Sequence, residues 1–423
     1  MSKKTSIVLI YFVLIFTKMN AQQNSTLNSI HAIDEKEFKN SYEQLNFYRN
    51  VESDLKNHSD DSLRIFYQVL SYLNAFASNY EESKKTMYEK GTNSNNDFYK
   101  PIFSQHKFQK YKPKNINDFL DSIASTYQII IFNEAHNLPQ NRITTLRALN
   151  LLYKKGFRYL ALEALSDKDT LINKRGYALS HYSSEGYHFI DEPCFGDMIR
   201  VACKIGFKLV PYEFKSKNPL ERESNQATNI VNRILKRDTK AKVIIHNGYS
   251  HGDKDPDLKQ MGYFLKQMTN AKIIFLDQWR LSSSIDSSFE SPDYRYAVTV
   301  NKMTEPTVFI EPFTKKIWKL DESFGDVPLF LPKTNIINGR PDWLLFGAKK
   351  VYFPLIDSMG IISFPVLLQA LKTSEGKDAI PVDQFEMTQI NDKKCLFLYA
   401  DTYTIRILDK NGIVIYSKEI IIR

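Results

Sequence analysis

Cysteine, glycine and long apolar runs are all scarce in this sequence. Three cysteines in 423 residues, Cys194, Cys203 and Cys395, allow at most one disulfide and exclude a disulfide-stapled scaffold; no C-x-x-C pair marks a redox or zinc site. With 15 glycines the chain is neither collagen-like nor a flexible low-complexity polymer. The nucleotide-site fingerprints G-x-G-x-x-G and the P-loop are missing, and so is the H-E-x-x-H of zinc proteases. One long apolar run and a mean hydropathy of -0.38 exclude a polytopic membrane protein. What is present is ordinary globular material, 43% hydrophobic and 25% charged, long enough for two or three domains at ~100–200 residues each.

The apolar run lies at the N-terminus. Lys3 and Lys4 precede the stretch from Ser6 to Phe16, and Ala21 precedes polar Gln22. A basic start, roughly ten apolar residues and a small exit residue are the make-up of a secretory signal peptide over residues 1–21. The run falls short of the ~20 residues that a membrane span needs, with an uncleaved anchor as the alternative. The expectation is an exported protein, periplasmic or extracellular, with no integral span after cleavage. Removing residues 1–21 takes away three lysines and no acid, so the formal charge drops from +9 to +6. The densest basic stretch, from His106 to Lys114, interleaves lysines with aromatics as a nucleic-acid strip would. It also precedes the first strand as a solvated linker would, and no nucleic-acid partner is expected.

From about residue 28 to 118, apolar positions such as Leu45, Phe66, Leu70 and Leu73 recur at helical intervals, which assigns residues 22–117 to a helical N-terminal region. Beyond Asp118, short apolar strands near 128–132, 158–162, 208–212, 242–245 and 272–276 alternate with helices near 139–155, 195–205, 221–237 and 257–269. That alternation predicts an α/β fold, a mainly parallel sheet flanked by helices, over residues 118–320. Pro211 places its strand at an edge or at its own end. Residues 294–300 and 307–311 read as further β segments. After a connecting segment, 321–364, residues 365–423 read as a small antiparallel β module, with Asp409–Gly412 as its hairpin turn. No internal repeat is present.

In open α/β sheets, ligands bind beyond the carboxyl ends of the strands. Here the residues just past the five apolar runs are Asn133, Glu134 and His136; Glu163; Glu213; His246 and Asn247; and Asp277 and Gln278. Any one of them could be a helix cap or a surface group, but five consecutive strands delivering carboxylates or imidazoles to one edge predict a site for water activation. Such a site needs a base and a partner to orient it. Arg222 begins a helix where a cation opposes the macrodipole, which assigns it to clamping a carboxylate or an oxyanion; Arg142 poses the same question. Gly248–Gly252 satisfies the G-x-S-x-G nucleophile elbow, yet after Ser250 the only histidine is the adjacent His251, so a serine triad in the usual chain order is excluded.

These residues resemble the motifs of a superfamily that groups erythromycin esterases, haem-binding ChaN and the TIKI/TraB proteins. The matching segments are Asn133-Glu-Ala-His136, Leu160-Ala-Leu-Glu163, Arg222-Glu223 and Gly248-Tyr-Ser-His251, within roughly residues 118–278. Asn133 stands where the first motif usually has glycine. Uncharacterised exported bacterial members are the nearest in pattern, with Tyr212-Glu213 and Arg175-Gly-Tyr177. The resemblance implies one of three chemistries: metal-free hydrolysis of a lactone, metal-dependent peptide hydrolysis, or haem binding. The leading expectation is an exported hydrolase of an ester, lactone or amide, with Glu134, His136, Glu163, Arg222 and His251 catalytic. Arg142, Glu213, His246 and Asn247 are assigned to contacts with a small-molecule or peptide substrate. If a divalent metal (Mn, Zn or Co) or haem is bound, His136 and His251 are its ligands. The alternatives are a haem- or metal-binding protein without turnover and a degenerate interaction scaffold.

Overall fold

The structure is a computed structural model that describes residues 37–55, 61–91, 108–182, 188–284, 287, 290–319, 325–347, 349–354, 360–361 and 363–423. The expected signal peptide lies outside the described residues. Among those described, no helix is long and apolar enough to cross a membrane.

Three helices open the described chain: α1 (Ser41–Leu55), α2 (Asp61–Phe76) and α3 (Tyr80–Thr86), the last running on into a π turn. The α/β part follows with β1 (Lys112–Asn115), α4 (Ile116–Ile123), β2 (Ile129–Glu134), α5 (Gln140–Lys154) and β3 (Phe157–Leu162). It continues through α6 (Ile172–Arg175), α7 (Pro193–Ile205), β4 (Lys208–Pro211), α8 (Pro219–Ile230), β5 (Lys242–Gly248), α9 (Met261–Met268) and β6 (Ile273–Leu281). Helix α10 (Pro292–Val300), β7 (Thr307–Ile310) and β8 (Val327–Phe330) complete it. These strands form one eight-stranded sheet in the order β1-β7-β8-β6-β2-β5-β3-β4, parallel from β8 to β4 and antiparallel at β1 and β7.

Alternation along β2 explains why its neighbours are continuous apolar runs. Ile130 and Phe132 join Leu160, Ile244 and Leu276 under α5 and α7, whereas Ile129 and Ile131 join Ala161, Val243 and Phe275 under α8 and α9. Both faces are covered, as a parallel sheet requires. The strand carrying Pro211 is the edge strand β4, where a missing N–H breaks no ladder.

The sheet draws strands from outside the expected span of 118–320: β1 comes from the end of the lysine-rich stretch and β8 from the expected connecting segment. Residues 294–300, expected to be β, are helical. Ser291 accepts the N–H of Tyr294 at 3.1 Å with Pro292 next to it, and this N-cap outweighs the β-branched and aromatic composition.

The C-terminal part comprises the short strands β9 (Ile336–Ile337), β10 (Arg340–Pro341) and β11 (Lys350–Tyr352), then β12 (Val366–Lys372), β13 (Asp383–Met387), β14 (Leu396–Leu398), β15 (Asp401–Leu408) and β16 (Val414–Ile422). An antiparallel sheet of order β13-β12-β15-β16 results, with the Asp409–Gly412 turn joining its last two strands; β14 pairs with β11 instead. Helices α1 and α2 pack on this sheet through Tyr42, Phe66 and Leu70 against Leu367 and Leu408. Arg49 grips buried Glu386 at 2.6 and 3.0 Å, and Arg340 grips Asp383 at 2.6 and 2.8 Å. All three cysteines are unpaired.

Candidate active site

The parallel register fixes the site. Glu134 lies opposite Gly248, and Phe132 and Leu162 both lie opposite His246, so the carboxyl ends of β2, β3 and β5 coincide. Asn133 and Gln278 lock the end of β2 to β6, the backbone N–H of Gln278 donating to Asn133 Oδ1 at 2.8 Å. Asn141, in the first turn of α5, accepts the N–H of Ala135 at 3.0 Å and donates to the Gln278 carbonyl at 2.7 Å. The turn bearing His136 is thereby held from two sides.

Two ionic groups occupy this edge. In the deeper one, Arg142 clamps Glu134 with Nε at 2.7 Å from Oε2 and a terminal nitrogen at 2.8 Å from Oε1. The same carboxylate receives His136 Nδ1 at 3.0 Å and His246 Nε2 at 2.8 Å. Arg142 reaches on to Glu192 at 2.9 Å, and His246 Nδ1 meets Thr145 Oγ1 at 3.1 Å. Burial alone would raise the Glu134 pKa, but the Arg142 charge and hydrogen bonds from Arg142, His136 and His246 hold it well below the usual carboxylate range. Glu192 goes the other way: burial pushes it up despite Arg142.

The second group is more open. Arg222 donates to Glu163 at 2.7 Å and to both oxygens of Glu213 at 3.0 and 2.6 Å, and lies 3.2 Å from His251 Nε2. His251 Nδ1 stands 2.6 Å from Glu223 Oε1, and the N–H of Gly248 donates to Glu163 at 2.5 Å. Burial would lower the His251 pKa, yet the Glu163 and Glu223 carboxylates prevail over burial and Arg222 and raise it. Glu163 is held below its ordinary range: burial opposes this, and the charges of His251, Arg222 and His136 with the Gly248 N–H outweigh it. Gly248 is the hinge between the groups. A Cβ there would stand 2.5 Å from His136 Cε1 and 2.7 Å from Nε2, so the imidazole packs directly on backbone.

All five residues expected to be catalytic therefore come together. Of those expected to contact substrate, Glu213 joins the open group, but Arg142 is wholly buried and His246 and Asn247 are 2% and 1% exposed. All three are buried in the site, where Arg142 and His246 both hydrogen-bond the Glu134 carboxylate. The sequence reading missed Glu192 and Thr145. A Glu before Pro193 at the head of an apolar helix is an N-cap signal, and Glu192 does accept the Phe195 N–H at 3.2 Å; its ion pair with a residue 50 positions away leaves no local trace.

Among the described residues no three His, Cys, Asp or Glu side chains are arranged to hold a metal. His251 Nε2, the nitrogen left for a metal, lies 3.2 Å from the guanidinium of Arg222, which also donates to Glu163, so a cation already stands at one of the two expected ligands. In this arrangement the expected ligand pair does not fit a metal ion.

No protein-family model and no curated protein sequence matches the chain. Among solved structures, the type III effector HopBA1 is similar over 42% of this chain and 90% of its own, at 15% identity and a TM-score of 0.30. ChaN of Campylobacter jejuni, solved with cofacially bound heme, is similar over 52% of this chain and 96% of its own, at 10% identity and a TM-score of 0.30. The C-terminal region of Pasteurella multocida toxin, with a thiol-protease like catalytic triad, is similar over 91% and 63%, at 12% identity and a TM-score of 0.29. Likenesses at these scores carry no information about substrate or mechanism.

Proposed function

We propose that the protein is an exported hydrolase of an ester, lactone or amide, of the erythromycin-esterase, ChaN and TIKI type that its motifs resemble, with His136 as the base that activates water. One observation carries this reading: Glu134, clamped by Arg142, accepts from His136 Nδ1 at 3.0 Å. A carboxylate on Nδ1 fixes the tautomer and leaves Nε2 with the lone pair. Glu134 itself is a poor base, being buried, depressed in pKa and already engaged by three side chains. It orients the imidazole as the aspartate of a serine-protease triad does.

In the reaction, His136 Nε2 takes a proton from water as its oxygen attacks the carbonyl carbon and the carbonyl π pair moves to oxygen. Arg222, its side chain 16% exposed, supplies positive charge to that oxyanion, with His251 beside it at 3.2 Å. Collapse expels the leaving group, which takes its proton from the His136 imidazolium. Acid and alcohol or amine are the products, and the imidazole is regenerated neutral.

The test is turnover of an ester, lactone and amide panel by mature protein. On a substrate that wild type cleaves, folded His136→Ala is expected to lose about 10²–10⁴-fold. Full turnover by that variant overturns the assignment. A panel left wholly uncleaved, with a Soret band on haem addition that His136→Ala abolishes, replaces hydrolysis by haem binding.

A further inference from the structure

A cavity of about 240 Å³ opens between helix α3 and the segment from Asn137 to Gln140, the loop that directly follows His136 and the first residue of α5. It is somewhat smaller than the ~300–1,000 Å³ of sites for drug-sized ligands, which suits a small molecule or one arm of a larger one. Tyr80 and Trp343, in edge-to-face contact at 5.2 Å, form an apolar wall together with Leu138.

Lys84 is the chemically unusual residue of the lining. Its Nζ donates to the Ser283 carbonyl at 2.9 Å, which uses one of three N–H donors, and among the described residues no carboxylate forms an ion pair with it. The charges of Glu290 and Glu81 support the ammonium from farther off, but burial prevails and draws its pKa down to about 8. Lys333, exposed at the cavity, adds a second positive charge against the one carboxylate of the lining, Glu81. A half-buried ammonium with no carboxylate in ion-pair range is only partly compensated, and an anion in the cavity would complete its pairing.

We propose that this cavity is a carboxylate-binding pocket in which a monoanionic ligand seats its carboxylate on Lys84 and its apolar body against Tyr80, Leu138 and Trp343. The two lysines against Glu81 leave the lining one net positive charge beside an apolar wall, which matches one negative charge on a hydrophobic body, whereas a phosphate dianion is better served by guanidinium forks. Because the loop that lines the pocket leaves His136, the pocket receives a carboxylate-bearing arm of the substrate; this last step rests on the hydrolase reading.

The probe is benzoate, with benzamide as its neutral counterpart and inorganic phosphate as the competing anion, titrated calorimetrically into the full mature chain. Benzoate is expected to bind at least about tenfold more tightly than benzamide or phosphate, and Lys84→Met to remove that advantage. Lys84→Met removes the ammonium together with its hydrogen bond to the Ser283 carbonyl, and a cooperative thermal transition checks that the variant is folded. Equal binding of benzoate and benzamide, equal binding of phosphate, no binding of benzoate, or undiminished binding by Lys84→Met each overturns the pocket. None of these outcomes requires turnover, so the pocket stands or falls apart from the hydrolase reading. Where a substrate is known, a rise of about tenfold in KM with Lys84→Met, confined to carboxylate-bearing substrates, ties the pocket to His136. An unchanged KM cuts that tie.

Discussion

At the scale of single residues, Gly248 does the most with the least. Its φ is not positive, so alanine is acceptable to the backbone, and the whole penalty falls on the His136 ring that a Cβ would meet at 2.5 Å. Gly248→Ala is therefore expected to stay folded while losing about 10²-fold in turnover, the usual effect of a misplaced catalytic group. Circular dichroism and kcat on the same sample check both halves. The two glutamates on Arg142 make an opposite pair, Glu134 depressed and Glu192 raised. Arg142→Met strands both and is expected to cost about 3–5 kcal/mol in urea unfolding. Glu192→Gln, nearer to what burial already favours, is expected to cost far less. The titration signs also differ. The contribution of Glu134 is complete above its ordinary 4.5 and is lost as pH falls through its lower folded value, whereas that of His251 is complete below 6.5 and is lost as pH rises through its higher folded value. The stability deficit of His251→Gln is thus expected to shrink from mildly acid to alkaline pH, read as urea midpoints.

At the scale of elements, the site is a set of strand ends latched together. Asn141 is the latch between α5, β2 and β6, and Asn141→Ala leaves the buried N–H of Ala135 without its acceptor. About 1–3 kcal/mol is the expected loss on thermal or urea unfolding. These strand ends were legible in the sequence because each apolar run stops at a carboxylate, an imidazole or an amide, and a parallel sheet aligns such stops at one edge. The illegible parts have local reasons. Strand β1 is a lysine-rich edge strand with no apolar alternation, and β8 is four residues long with a proline. Helix α10 carries strand-like residues that its Ser291 cap overrules. The depth of Arg142 and His246 was not legible, because sequence gives a residue's place along an element but not its burial, and both turn out buried on the Glu134 carboxylate.

At the scale of the whole molecule, the N-terminal helices and C-terminal sheet meet around pairs far apart in sequence. The C-terminal sheet also presents β16 as an edge, with Ile415 and Ile421 exposed at 50% and 67%. Lys418 lies in the middle of that strand, the kind of charge that discourages pairing with another chain. Lys418→Ile is expected to bring concentration-dependent self-association, detected by light scattering.

The grip of Arg49 on Glu386 spans 337 residues and that of Ser78 on the Gln384 carbonyl spans 306. A ribosome adds about 5–20 residues per second, so the aromatic face of the first helices waits about fifteen seconds to a minute for its partner strands to be made. For that interval the nascent chain carries an unsheltered apolar surface, and its yield in a cell-free translation is expected to depend on added holdase chaperones.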